Sequence, residues 1–217
     1  MINDVIFNGI SAREDWNIVL TNAIIPLPKV KTSIVDIKGA DGTLDLSEVL
    51  CGDVVYGNRD IKLTFDMMDL SNYPKLISDI SNFIHGKKVK VVFTNDDEFY
   101  YVGRCEISQW EYNKNIGKIV INITADPFKY RLYETSNNYV LDDFNRGELI
   151  VHLQNDRMRV SPILNVSGDI TLTYEGKSYK LQEGEQQLIA FTLKEGDNVI
   201  KLTGKGSVHI KYKRGLL

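Results

Sequence analysis

Apolar and polar residues alternate along most of the chain, which is the pattern of β-strands that bury one face. From Arg59 to Asp66, the side chains of Ile61, Leu63 and Phe65 alternate with polar ones. The same period, interrupted by short polar turns, predicts a meander of three further strands at 88–94, 99–110 and 118–125.

One segment between Asp69 and Lys88 follows a helical period instead. Its apolar residues fall three and four positions apart: Leu76, Ile77, Ile80, Phe83 and Ile84. Pro74 suits the first turn, Ser71 or Asn72 can serve as N-cap, and Gly86 suits a left-handed C-cap. The sequence therefore predicts one α-helix, at about 71–86, that packs on one side of the sheet.

The segment from Ile25 to Asn58 lacks the periodic pattern of a packed element. Extended limbs on either side of an Asp41-Gly42 turn predict a protruding hairpin. Its apolar residues, which include Leu44 and Val49, have no local core to cover. Long segments of this kind are often interaction arms, and exposed apolar residues usually contact a partner.

The second half of the chain shows short, regularly spaced β patterns. Pro127 marks a turn, and the polar stretch Tyr133–Asn138 is interpreted as a linker or domain entry. Seven strands are then expected at 148–154, 162–167, 170–174, 178–181, 187–193, 198–203 and 207–212, with turns that include Gly168-Asp169 and Gly204-Lys205-Gly206. This spacing favours a β-sandwich or jelly roll. The fold class is therefore mostly β, with a sandwich-like domain at 1–130 and a second β-sandwich at 131–217.

Charge and composition exclude several classes of protein. The net charge is -3, and neither half of the chain has the excess of Lys and Arg that a nucleic-acid surface needs. No signal peptide and no apolar membrane-spanning run is expected, so the chain folds in a cytoplasm. Two cysteines, Cys51 and Cys105, allow at most one disulfide, and two buried free thiols are the favoured interpretation.

Motifs for catalysis or cofactor binding are not found. The three histidines, His85, His152 and His209, have no metal-ligand spacing. The acidic clusters at Asp96 and Asp142 lack the spacing of a calcium loop, and no nucleophile elbow occurs. We therefore expect no enzyme activity, no cofactor and no metal site.

The order of several motifs resembles one family. These motifs are Gly39-Ala40-Asp41-Gly42, Asn58-Arg59-Asp60-Ile61, Ile84-His85-Gly86-Lys87 and Ala125-Asp126-Pro127-Phe128. Together they resemble the distal tail proteins of long-tailed bacteriophages that infect Gram-positive bacteria. The resemblance covers the first ~130 residues by motif and the remainder by architecture.

That resemblance implies a structural role in the virion. The first domain would close into a hexameric ring with a channel for DNA, between the tail tube protein and the tail-tip hub or baseplate. A galectin-like second domain would project outward and dock receptor-binding proteins. The hairpin would embrace the neighbouring subunit through Lys38, Asp41, Leu44, Leu46, Val49, Leu50 and Tyr56.

Two other functions stay open at this stage. A carbohydrate-binding or adhesin module would hold a saccharide on the second domain, and an array of exposed aromatic residues on one sandwich face would favour it. An unrecognised hydrolase would need carboxylates clustered in space, because one fold can host many functions.

Overall fold

The structure, a computed structural model, describes residues 4–49, 51–67, 69–112, 117–142 and 147–217. The chain divides into two compact units, Met1–Lys129 and Tyr130–Leu217. Both consist mainly of antiparallel strands, and a single helix occurs among the described residues. The prediction of a mostly β fold with one helix is confirmed.

The described residues of the first unit form eleven strands and the helix. They are β1 (Val5–Phe7), β2 (Ile10–Ser11), β3 (Ile18–Ile24), β4 (Val30–Lys31), β5 (Ile34–Asp36), β6 (Thr43–Asp45), β7 (Val55–Tyr56), β8 (Arg59–Met67), α1 (Tyr73–Ile84), β9 (Lys88–Phe93), β10 (Phe99–Tyr112) and β11 (Gly117–Ala125). A short strand, β12 (Lys129–Arg131), lies where the two units meet in sequence.

The large sheet of the first unit has the strand order β2-β1-β9-β10-β11-β8-β3. The predicted meander is confirmed, because β10 pairs antiparallel with both β9 and β11. Side chains on one face of the sheet form the core: Ile61, Leu63 and Phe65 on β8 are fully buried, as are Ile119 and Ile121 on β11.

Helix α1 packs on this core face, as predicted. Ile80 and Ile84 are fully buried within the core cluster, and Phe83 meets the ring of Trp16 edge-on at 5.8 Å. The N-cap is Asn72, although its side chain makes no capping hydrogen bond. Gly86 takes the left-handed conformation, with φ of +75°, and ends the helix.

Seven strands are formed by the part of the second unit that the structure describes. They are β13 (Thr135–Leu141), β14 (Glu148–Asn155), β15 (Ile163–Tyr174), β16 (Lys177–Lys180), β17 (Gly184–Gln187), β18 (Gly196–Tyr212) and β19 (Gly215–Leu216). The polar stretch Tyr133–Asn138 is the entry to the second unit, as one of its two interpretations had it, and most of it belongs to β13 and not to a linker. The expected strand at 187–193 is wrong, because β17 ends at Gln187 and the apolar residues that follow fill the core from a loop.

Two long strands, β15 and β18, organise this unit. They pair continuously from Ile163↔Lys211 to Tyr174↔Ile200. The first half of β18 also pairs with β14 and its second half with β13. Buried residues from both halves of β18 belong to one hydrophobic cluster. This is the arrangement of a sandwich in which a long strand contributes to both layers.

The expected turns at Gly168-Asp169 and Gly204-Lys205-Gly206 are wrong, because these residues lie inside β15 and β18. Gly204 and Gly206 have φ of +125° and +142°. A Cβ atom on either would overlap the backbone of β15, at the carbonyl oxygen of Asp169 or Ser167. These glycines therefore mark a close approach of two strands and not a chain reversal.

Replacement of Gly206 by alanine tests this close approach. We expect Gly206→Ala to lower the free energy of unfolding by about 3 kcal/mol, because the new methyl group requires the paired strand to shift and the φ is strained. Gly176→Ala is the control, since Gly176 has φ of +76° but open space around it. Its cost should be only about 1 kcal/mol in urea unfolding. Equal losses for the two variants would contradict the close approach.

Candidate assembly surface

The arm, which we define as residues 25–57, connects β3 to β8 and is itself a β-hairpin. At its base β4 pairs with β7, with Val30 opposite Tyr56. Further out β5 pairs with β6, with Val35 opposite Leu44. The sequence prediction of a hairpin around the Asp41-Gly42 turn is confirmed by this pairing.

The structure places the predicted contact residues along the whole arm. Lys38 and Asp41 are exposed in the turn between β5 and β6, and Val49 is 69% exposed. Leu46 and Tyr56 are half-buried. Leu44 is 46% exposed on β6. Leu50 lies outside the described residues.

Sequence reasoning missed the apolar residues of the first limb. These are all exposed: Leu27, Val30, Ile34, Val35 and Ile37. The available signal was the pair of β-branched residues Ile34 and Val35 in the limb before the turn, which pairs with β6. Both limbs therefore contribute apolar side chains to the arm.

One face of the hairpin is apolar. Val35 and Leu44 are directly opposite each other, so their side chains point to the same face. Ile37 and Leu46 lie two residues from them along the chain and continue the alternation. None of these four residues belongs to the core cluster of the unit. A two-stranded hairpin without such a core is marginally stable in water.

Polar contacts give the arm a defined shape. The Leu46 amide donates to the Ser33 carbonyl oxygen at 2.8 Å, and the Ser33 amide donates to Ser47 Oγ at 2.8 Å. The carboxylate of Asp45 accepts from the hydroxyl and the amide of Ser47. These two hydrogen bonds, the side-chain one first, hold the pKa of Asp45 below its ordinary value.

The base of the arm is fixed to the end of the first unit. Arg59, only 3% exposed, donates from Nε to the Pro127 carbonyl oxygen at 2.9 Å, and its guanidinium lies 5.3 Å from the ring centroid of Tyr101. Tyr56 meets Phe128 edge-on, with centroids 5.7 Å apart. The Asn-Arg-Asp-Ile and Ala-Asp-Pro-Phe motifs therefore contact each other and hold the arm at its root.

A polar cleft of about 520 Å³ lies beside the C-terminal end of α1. Its basic groups are engaged in structural contacts. His85 Nδ1 accepts from the Ile107 amide at 3.0 Å, Arg104 donates to the Gly86 carbonyl oxygen, and Lys88 pairs with Asp126 at 3.3 Å. This arrangement secures the helix end against β10, and it does not form a nucleophile and base pair.

The two cysteines have different environments. Cys105 is buried, and burial raises the pKa of its thiol to about 12. Cys51 is exposed on the arm, so the expectation of two buried thiols is wrong for it. It lies on a segment with no core of its own.

The described residues include neither a cluster of metal-ligating side chains nor a helix that could span a membrane. No group of three or more His, Cys, Asp or Glu side chains is placed to hold a metal ion within the described ranges. No helix in the described part of the chain is long and apolar enough to cross a membrane.

No protein-family model and no curated protein sequence matches the chain. The structure is similar to the crystal structure of the Dit protein of phage SPP1, with a TM-score of 0.71, 13% sequence identity and coverage of 100% of both chains. That protein is described as a paradigm of the hub adsorption apparatus in phages that infect Gram-positive bacteria. The resemblance to distal tail proteins is thereby confirmed at the level of the fold.

Replacement of Arg59 tests the anchor at the root of the arm. Arg59→Met removes the buried guanidinium that donates to the partly buried Pro127 carbonyl, and we expect the free energy of unfolding to fall by about 2–3 kcal/mol. Arg104→Met is the matched control, because Arg104 also donates to a backbone carbonyl but is exposed. Its loss should be about 0.5 kcal/mol in chemical denaturation. A loss for Arg59→Met no greater than this control would contradict the anchor.

Proposed function

We propose that this chain is a structural component of a phage tail tip. Six copies form a ring that connects the tail tube protein to the tail-tip hub or baseplate, with a central channel for DNA. The fold shared with SPP1 Dit over the full length of both chains supports a tail role. The ring and its partners are part of the proposal.

The observation that carries the proposal is the exposed apolar face of the arm. Val35, Leu44 and their neighbours are ordered by hairpin pairing but are covered by no core within their own unit. Apolar surface of this kind is typical of a binding site for another protein. An arm that contacts a different surface on the next copy makes a head-to-tail interface, and such an interface forms a ring when the rotation between successive subunits closes.

The two units have separate roles in this proposal. The first, residues 1–130, forms the ring, and the second, residues 131–217, is a galectin-like sandwich that projects outward and docks a receptor-binding protein. The protein assembles in the cytoplasm of the bacterial host and resides in the virion. A channel for passing DNA needs no specific DNA contacts, in keeping with a net charge of -3.

Two observations favour this function over the other candidates. The basic groups of the polar cleft are engaged in structural contacts, which does not support a hydrolase. Several aromatic residues of the second unit, Tyr174, Phe191 and Tyr212, are buried in its core, so they cannot form an exposed platform for a sugar. We therefore assign the chain an assembly role and no enzymatic one.

The double substitution Leu44→Asp and Leu46→Asp tests the arm. Charged residues on the apolar face should prevent subunit association, because burying a carboxylate without a partner costs several kcal/mol. Light scattering should therefore report an oligomer for the wild type and a folded monomer for the variant, with an unchanged circular dichroism spectrum.

The control places the same charges elsewhere. Ile150 and Ile189 are 60% and 91% exposed on the second unit. The double variant Ile150→Asp and Ile189→Asp should keep the oligomeric mass. An arm variant that keeps the mass of the wild type would count against a subunit contact through the arm.

A further inference from the structure

Large exposed apolar side chains occur in two places among the described residues of the first unit. The first is the run from Ile24 to Val49, which covers the arm and its entry. The second is the pair Trp110 and Tyr112 at the end of β10, each 54% exposed. A head-to-tail interface needs two different and complementary surfaces on each subunit, and the first unit has two such exposed apolar places.

A β-bulge determines which face of the sheet this aromatic pair occupies. The register of β10 against β11 shifts between Ile107 and Gln109, so one extra residue is inserted. Before the bulge the inward side chains are at odd positions such as Cys105, and after it Trp110 lies opposite the fully buried Ile119. Trp110 and Tyr112 therefore point to the core face of the sheet, at the rim of the core.

Helix α1 supplies the third member of what we call the aromatic patch, which consists of Tyr73, Trp110 and Tyr112. The Tyr73 ring stacks on Tyr112 with centroids 4.5 Å apart and lies 5.7 Å from Trp110. Tyr73 is 8% exposed, and its hydroxyl has no hydrogen-bond partner among the described residues. A buried hydroxyl without a partner is costly, so a group from another chain would stabilise it.

The arm and the aromatic patch lie at opposite ends of the same strand. Strand β8 begins at Arg59, where the arm is anchored, and ends at Met67, which pairs with Gly117 opposite Tyr112. Nine residues of extended chain separate the two ends by roughly 26 Å, at about 3.3 Å per residue. One subunit thus presents the apolar arm at one end of β8 and the aromatic patch at the other end.

We propose that the aromatic patch is the surface that receives the arm of a second copy of this chain. The inference rests on the proposed ring and adds the acceptor surface to it. Opposite placement on one rigid sheet is the geometry that head-to-tail assembly requires. Trp and Tyr are also enriched among the residues that contribute most to protein interfaces.

Cross-linking between differently labelled copies tests the contact. One variant carries Leu44→Cys and the other Tyr112→Cys, both in a Cys51→Ser background. Cys105 does not interfere, because it is buried and its thiol pKa is raised. After the two variants assemble together, a short bismaleimide should join one copy of each, and neither variant alone should give this product.

A matched control separates a specific contact from collision. Ile189→Cys replaces Tyr112→Cys in the control mixture, since Ile189 is the more exposed of the two positions. The yield with Tyr112→Cys should be severalfold higher. Assembled protein with equal yields in the two mixtures would overturn the patch as acceptor but leave the ring intact. A wild-type protein that stays monomeric at high concentration would contradict both the patch and the ring.

A second variant gives an independent measurement. The double variant Trp110→Ser and Tyr112→Ser should fold normally, because both side chains are half exposed. Its subunit association should be weakened about tenfold or more. Tyr133→Ser is the control, because Tyr133 is an aromatic residue 83% exposed on the second unit. Unchanged association would overturn the proposal. So would normal rings that have lost binding to purified tail tube protein, since the patch would then face the tube.

Discussion

The arm carries apolar side chains on a hairpin that has no core of its own. Its backbone is ordered by pairing between β5 and β6, and its polar groups bond to one another around Ser33 and Ser47. Hydrogen bonds alone contribute little net stability in water, so the apolar face of Val35 and Leu44 would gain stability if another chain covered it. The proposed assembly role and the proposed acceptor surface both follow from this constraint.

The sheet of the first unit gives the arm a fixed direction. The arm is the connection between β3 and β8, which are themselves paired neighbours at one edge of the sheet. Arg59 and Tyr56 fasten its root to the Pro127-Phe128 segment. A projecting element can organise an assembly only if its base is rigid, because ordering a loose segment on binding costs conformational entropy. In the proposed assembly, the buried guanidinium of Arg59 would therefore contribute as much as the leucines further out on the arm.

Local patterns in the sequence predicted the parts that depend on local rules. The period of three and four from Leu76 to Ile84 gave helix α1, and strict alternation from Arg59 gave β8. The wrong predictions concern features that tertiary contacts determine. Gly204 and Gly206 have the sequence signature of a turn but are required by a strand that passes too close for a Cβ. The bulge near Ser108 has no sequence signature, yet it decides which face Trp110 occupies and hence where the aromatic patch lies. The apolar residues of the first limb were absent from the predicted contact set, because only the pairing of Val35 with Leu44 shows that they share a face with the second limb.

Electron microscopy of the purified wild-type protein in negative stain tests the central claim most directly. We expect closed rings of six subunits with an open centre, formed without any other tail protein. Single particles of one subunit at high concentration, or open filaments without closure, would contradict it.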